Sequence, residues 1–116
     1  LRDQSFDHPA VALAARTEFV DFACAQETCR AMRLTPARHY MTDATGQERC
    51  HLYIRLESFE TDARPLWDHL GFELTLPRAN TSTRRRDYRS YFSQAAKQAV
   101  REACAEDIER FGYSFE

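Results

Sequence analysis

The chain has 116 residues, 43% hydrophobic and 29% charged, with a formal net charge of −2. That composition suits one domain with a modest core and excludes a disordered or fibrous polypeptide. The slight acidity removes bulk attraction to nucleic acid, and no apolar run has the length of a membrane span or the pattern of a signal peptide.

The four cysteines, Cys24, Cys29, Cys50 and Cys104, form no Cys-x-x-Cys pair and have no histidine at metal-finger spacing. They read as buried, reduced thiols, which implies a reducing, cytoplasmic compartment and no metal. Residue 1 is Leu rather than Met, so a processed chain or a piece of a longer protein is expected.

Leu1 to Asp7 reads as irregular. His8-Pro9 opens a short helix capped by Asp7, with Pro9 in the first turn where its missing N–H costs nothing, and the Ala-rich 10–16 continues it. Thr17 to Arg33 reads as a longer helix. Thr17 caps it, Glu18 lies at its positive end, Arg30 and Arg33 lie at its negative end, and Thr35-Pro36 stops it. Arg38-His39-Tyr40-Met41 is expected to be extended and to run into a turn over 42–47 that ends near Gly46.

The stretch Arg49 to Glu57 alternates. Cys50, Leu52, Ile54 and Leu56 fall on one face; His51, Tyr53, Arg55 and Glu57 fall on the other. A period of two predicts a strand with one face in the core. The polar face reads either as solvated or as the wall of a site near a strand's carboxyl end. Ser58 to Thr61 then caps a helix over 62–70, placed by Pro65 in its first turn and stopped at Gly71. Phe72 to Leu76 is brief and extended, and 77–89 is a loop. Ser93 caps a last helix to about Phe111, whose apolar residues Ala96, Val100, Ala103, Cys104, Ile108 and Phe111 recur every three or four residues. Gly112 ends it.

Fifteen of the sixteen basic residues are Arg, Lys97 is the only Lys, and five Arg lie between Arg78 and Arg89. In that loop the hydroxyls of Thr81, Ser82 and Thr83 stand beside Arg84, Arg85, Arg86 and Arg89, a set suited to phosphate or sulfate because the guanidinium fork matches two oxygens of one anion. A solvated charge run is the plainer reading. His39 beside Tyr40 is a second candidate, as acid, base or hydrogen-bond donor. His8, His51 and His69 share no metal-site spacing with it. The chain carries neither a serine nucleophile elbow nor a Walker-type loop.

The order of these pieces resembles the C-terminal part of the carbohydrate-type (family 2) sulfotransferases. The pieces are His39 in its stretch, then Ile54-Arg55-Leu56-Glu57, Asp62 at the next helix start, Leu70-Gly71-Phe72, Asn80-Thr81-Ser82-Thr83-Arg84, and the closing Ala105-Glu106-Asp107-Ile108-Glu109-Arg110-Phe111-Gly112-Tyr113. The resemblance covers about residues 17–115. It implies an α/β fold, the helix-rich C-terminal portion of a P-loop-kinase-like sulfotransferase fold with one main strand at about 49–57. It implies an enzyme that transfers a sulfuryl group from 3′-phosphoadenosine-5′-phosphosulfate to a hydroxyl, that of a carbohydrate.

On this reading Ser82, Thr83, Arg84 and Arg85 face the nucleotide, and His39 and Arg55 the acceptor; no catalytic base is assigned. Met41-Thr42 stand where the family has Pro-Gln. The family's basic, small-residue donor loop has no copy in this chain, so all 116 residues are expected to be one domain or the C-terminal segment of one, incomplete as a catalyst. The partners implied are the nucleotide donor and the acceptor, with no nucleic acid and no transmembrane segment. The alternative is a non-catalytic helical interaction domain whose apolar strand face another chain covers, in a homo-oligomer or with a different partner.

Overall fold

The computed structural model describes residues 9–79, 83 and 87–115. In chain order the helices are α1 (Pro9–Ala14), α2 (Phe19–Cys24), α3 (Gln26–Leu34), α4 (Arg38–Met41), α5 (Phe59–Asp62), α6 (Arg64–Leu70), α7 (Gln94–Ala103) and α8 (Ala105–Phe111). Single 3₁₀ turns at Leu56–Ser58 and Tyr88–Tyr91 precede α5 and α7. The chain divides into two compact units: one of residues 9–40 and 87–115, the other of the described residues from Met41 to Thr83.

No β-strand forms among the described residues, and their one β-pairing is the isolated antiparallel bridge between Thr42 and Glu48. This overturns the expected α/β fold and its main strand at 49–57. The alternation in 49–57 specifies two faces, but a strand also needs a neighbour to take its N–H and C=O groups. None is present, and local groups take the polar positions instead. The Arg55 N–H donates to the Asp62 carboxylate at 3.1 Å, and the Tyr53 hydroxyl donates back to Glu48 at 3.0 Å. The apolar face is not in a core: Leu56 is 74% exposed and Leu52 and Cys50 are also exposed. Arg55 has extended dihedrals (φ −79°, ψ 134°), but the next residues, Leu56–Ser58, turn into a 3₁₀ helix.

In the first unit α2 packs on α3 and α7, α3 also meets α1 and α7, and α8 follows on α7. The residues buried here are small: Ala23, Thr28, Cys29, Ala96 and Ala103. Small side chains at helix contacts let backbones approach closely, and larger residues then cover the seam. Ser93 caps α7 as its sequence predicts, its hydroxyl accepting from the Ala96 N–H at 3.1 Å. Such a cap contributes about 1 kcal/mol.

Two expected helices are interrupted. The expected 17–33 helix breaks at Ala25 (φ −65°, ψ 139°) into α2 and α3. Thr17 does not cap it; its hydroxyl donates to the Leu13 carbonyl at 2.9 Å. The last helix breaks at Cys104 (φ −106°, ψ 19°) into α7 and α8, whereas the expected 62–70 helix forms as α6 from Arg64, after the separate turn α5 over the residues expected to cap it. Apolar periodicity continues through both breaks, so it could not reveal them. The expected extended stretch at Arg38–Met41 is instead the single turn α4. The stops at Gly71 (φ 80°) and Gly112 (φ 65°) are as expected, because both close helices in the left-handed region that glycine enters without strain. The Asp7 cap lies outside the described residues.

In the second unit the expected 42–47 turn closes on Asp43. Its N–H donates to the Gln47 carbonyl at 2.8 Å, and the Arg49 N–H donates to the Met41 carbonyl at 3.2 Å. Ala63 is fully buried, and Phe59 meets Trp67 edge-on at 6.0 Å. Phe72, Leu74 and Leu76 are exposed. No helix of the described residues is long and apolar enough to cross a membrane.

Candidate functional site

The residues that sequence reasoning singles out are divided between the units. His39 lies in the first, on α4, exposed and edge-on to Tyr40 with ring centroids 5.2 Å apart. Arg55 lies in the second, half-buried, its Nε and Nη2 donating to the two oxygens of Asp62 at 2.8 and 3.2 Å. Thr83 also belongs to the second unit and is exposed. Ser82, Arg84 and Arg85 lie outside the described residues.

Arg55 and Asp62 are seven residues apart, and the 3₁₀ turn with α5 returns the chain so that the two meet. The two side-chain bonds and the Arg55 backbone N–H all favour the charged carboxylate, which holds Asp62 below the ordinary aspartate range. The Arg55 fork is therefore already filled by a carboxylate, the same shape of oxygen pair that it would offer to a ligand.

Asp43 is the second hub. One of its oxygens accepts from the Thr45 N–H (2.8 Å), the Thr45 hydroxyl (2.6 Å) and the Gln47 N–H (3.1 Å), and the other accepts from Arg49 Nε at 2.7 Å. The Thr45 hydroxyl is the largest cause, followed by Arg49 and the two backbone donors, and together they hold the Asp43 carboxyl far below its usual range. Asp-Ala-Thr-Gly is an Asx-turn pattern, so this hub could have been read from sequence.

A third feature has no such signal. The Ala37 N–H donates to both oxygens of Asp107, at 3.0 and 3.1 Å, across seventy residues of sequence. Beside it Arg38 Nε donates to Glu106 at 2.7 Å. The first turn of α8 thus grips the chain just ahead of His39. Sequence alone reads Glu106 and Asp107 as helix-dipole complements, because a backbone N–H has no letter of its own.

Comparison with protein-family models, with curated proteins and with solved structures finds no match for this chain.

Five rings gather in the first unit. Phe92 meets Phe19 at 4.8 Å and Phe115 at 4.9 Å, Tyr88 meets Phe115 at 5.8 Å, and Tyr91 meets Phe19 at 6.2 Å, all edge to face. The Arg89 guanidinium lies 4.7 Å from the Tyr88 centroid and the Lys97 ammonium 4.3 Å from that of Phe115. Arg89 also donates to the Phe115 carbonyl at 3.2 Å. Sequence reasoning does not find the cluster, whose members span positions 19 to 115.

The cysteines differ from expectation. Cys24 and Cys50 are exposed, Cys29 is buried and Cys104 is half-buried, all as free thiols. The Cys104 sulfur lies 3.4 Å from that of Met32. Burial pushes its thiol pKa up, and nearby Asp107 and Cys29 add to the rise. No group of three or more His, Cys, Asp or Glu side chains suited to a metal occurs among the described residues. Two depressions among the described residues are open. One of about 440 Å³ is lined by Gln26, Glu27, Arg30, Arg33 and Leu34, and one of about 400 Å³ lies around Arg64, Trp67 and Phe72.

Proposed function

We propose that this chain is the C-terminal part of a carbohydrate-type sulfotransferase, acting in transfer of a sulfuryl group from 3′-phosphoadenosine-5′-phosphosulfate to a sugar hydroxyl. The ordered motifs from His39 to Tyr113 support the reading. The observation that carries it is that the two ends of this motif series meet. Asp107, in the closing Asp-Ile-Glu-Arg-Phe-Gly-Tyr, holds the Ala37 N–H, and Glu106 holds Arg38, so the His39 stretch is fixed by the motif that ends the resemblance.

Sulfuryl transfer develops charge on the transferring oxygens and on the leaving phosphate, and positioned cations with backbone N–H groups stabilise it. In this reading Ser82, Thr83, Arg84 and Arg85 close over the nucleotide and His39 faces the acceptor. Arg55, held by Asp62, positions its segment and does not itself grip substrate. The reading needs a donor loop, of which this chain holds no copy.

The test starts from the natural gene product, its intact mass and its N-terminal sequence. Calorimetric binding of adenosine 3′,5′-bisphosphate and transfer of labelled sulfate to sugar acceptors follow. The expected result is a protein with a donor loop that binds the nucleotide, with Arg84→Ala/Arg85→Ala weakening it about tenfold or more through lost charge-assisted bonds. A natural protein that binds no nucleotide would end the reading.

A second reading, a non-catalytic helical interaction domain, is favoured by one observation. Leu34, Leu56, Phe72 and Leu76 are at least half exposed, while no large side chain of the described residues is fully buried, and exposed apolar surface of this kind marks contact with other polypeptide. Failure of nucleotide binding together with tight self-association or capture of a defined partner would select it.

A further inference from the structure

We infer that the sulfur atoms of Cys29, Met32 and Cys104 form a site for one soft metal ion, Cu(I), inside the first unit. The inference stands apart from the sulfotransferase reading and does not depend on it. Cys29 and Met32 are three residues apart on α3, so their side chains share one face of that helix. Cys104 stands at the junction of α7 and α8, and α3 packs on α7. The Cys104 thiol donates to the Met32 thioether at 3.4 Å, joining two sulfurs 72 residues apart in sequence. Cys29 completes the set, near enough to Cys104 to add to the rise in its pKa. Cys29 is buried, Met32 and Cys104 are half-buried, and Ala23 and Ala103 beside them are buried too.

The donor set decides the ion. A thioether beside thiolates suits Cu(I), whereas harder ions take oxygen and nitrogen. A structural zinc site needs four ligands. No group of three or more His, Cys, Asp or Glu side chains suited to a metal occurs among the described residues. Asp107, the carboxylate that acts on Cys104, has both oxygens engaged by the Ala37 N–H. Sulfurs of a trigonal site with bonds of about 2.3 Å stand about 4.0 Å apart, so the Cys104–Met32 pair has to open by roughly half an ångström. The unbranched Met32 side chain allows that through its three rotatable bonds. Binding forms three Cu–S bonds and breaks the weak hydrogen bonds from Cys104 to Met32 and from Cys29 to the Ala23 carbonyl. The two thiol protons pass to solvent, and no electron is transferred. The loaded site carries one negative charge, and Arg33, donating to the Cys29 carbonyl at 3.3 Å, brings a cation to the same turn of α3.

The test sets the natural protein, reduced and kept free of oxygen, to compete with bicinchoninate for Cu(I). The exposed thiols of Cys24 and Cys50 would take copper themselves, so every comparison starts from a parent carrying Cys24→Ser and Cys50→Ser. The expected result is one Cu(I) per chain that depends on Cys104, a sulfur-only shell in X-ray absorption, and a melting temperature that rises as copper is added. Met32→Leu, which keeps the volume and removes the sulfur, should weaken binding about tenfold, and Cys104→Ala about a hundredfold. Circular dichroism of the metal-free variants checks that each folds, and Met32→Leu decides the matter alone if Cys104→Ala does not. Failure to draw copper from the chelator, undiminished binding by Met32→Leu, or nitrogen or oxygen in the metal's shell would overturn the inference. So would Zn(II) bound as tightly as Cu(I).

Discussion

In the unit of residues 9–40 and 87–115, the stabilising contacts join residues far apart in sequence: Ala37 with Asp107, Arg38 with Glu106, Met32 with Cys104, and Phe19 with Phe92. In the unit from Met41 to Thr83 the polar hubs are local. Asp43 gathers donors from within six residues and Asp62 from within seven. The first unit buries four alanine or cysteine side chains and a threonine between helices, the second a single alanine. Long-range contacts close long loops and reward cooperative folding; local carboxylate hubs hold a shape with little core behind it. The first unit should therefore respond most to changes of packing, the second to changes of charge.

The largest effect is expected at Ala96, fully buried on α7. Ala96→Leu forces a four-carbon side chain into a contact sized for a methyl group and should cost about 3 kcal/mol, near the upper end for overpacking. In a domain with only about 5–15 kcal/mol in total, urea unfolding followed by near-ultraviolet dichroism of the ring cluster would register it. A change below about 0.5 kcal/mol, the ordinary surface range, would mean that the helix contacts are not close-packed.

Next is the clamp at Asp107. Asp107→Ala leaves the half-buried Ala37 N–H without its acceptor and should cost about 1 kcal/mol, with Asp107→Asn recovering part because its carbonyl oxygen still accepts. Hydrogen exchange at Ala37 is the direct measurement. Fast exchange in the parent protein would show that the bond does not persist in solution.

The smallest effect is on the acid side of the second unit. Asp43 and Asp62 are both held below the ordinary value, about 3.9 in an unfolded chain. A carboxylate depressed in the folded state contributes stability that is fully present above that value. The contribution is lost as pH falls through the folded value. Trp67 is the only tryptophan and lies in this unit, so its fluorescence between pH 5 and pH 2 reports the loss. Asp43→Asn and Asp62→Asn should flatten that limb while the ring-cluster signal of the other unit holds. Equal acid sensitivity of both signals would erase the distinction drawn between the units.

The stops and one cap were legible in the residues themselves. Ser93, Gly71 and Gly112 each act through their own backbone or nearest turn, so a single letter with its neighbours carries the information. The turn at Asp43 belongs with them, because its partners are two to six residues away. The helix breaks at Ala25 and Cys104 were not legible, since neither residue is a breaker and the apolar rhythm runs on past both. At 49–57 alternation was visible, yet the strand did not form, because pairing is a property of two segments and no partner meets this one among the described residues. The candidate site divides the same way. The residue types in the Ser/Thr/Arg loop and at His39 are what the proposed anion and acid–base roles rest on, while the filling of the Arg55 fork by Asp62 needed coordinates.

By itself the sequence determined a helix-rich chain, its cap at Ser93 and stops at Gly71 and Gly112, and where its guanidinium groups concentrate, because these depend on local backbone preference and composition. Only the tertiary structure decided that no ladder forms at 49–57, that Asp107 reaches Ala37, and that rings from positions 19, 88, 91, 92 and 115 share one face. Each of those is a meeting of distant residues, and distance along the chain carries no record of which residues will meet once the helices pack.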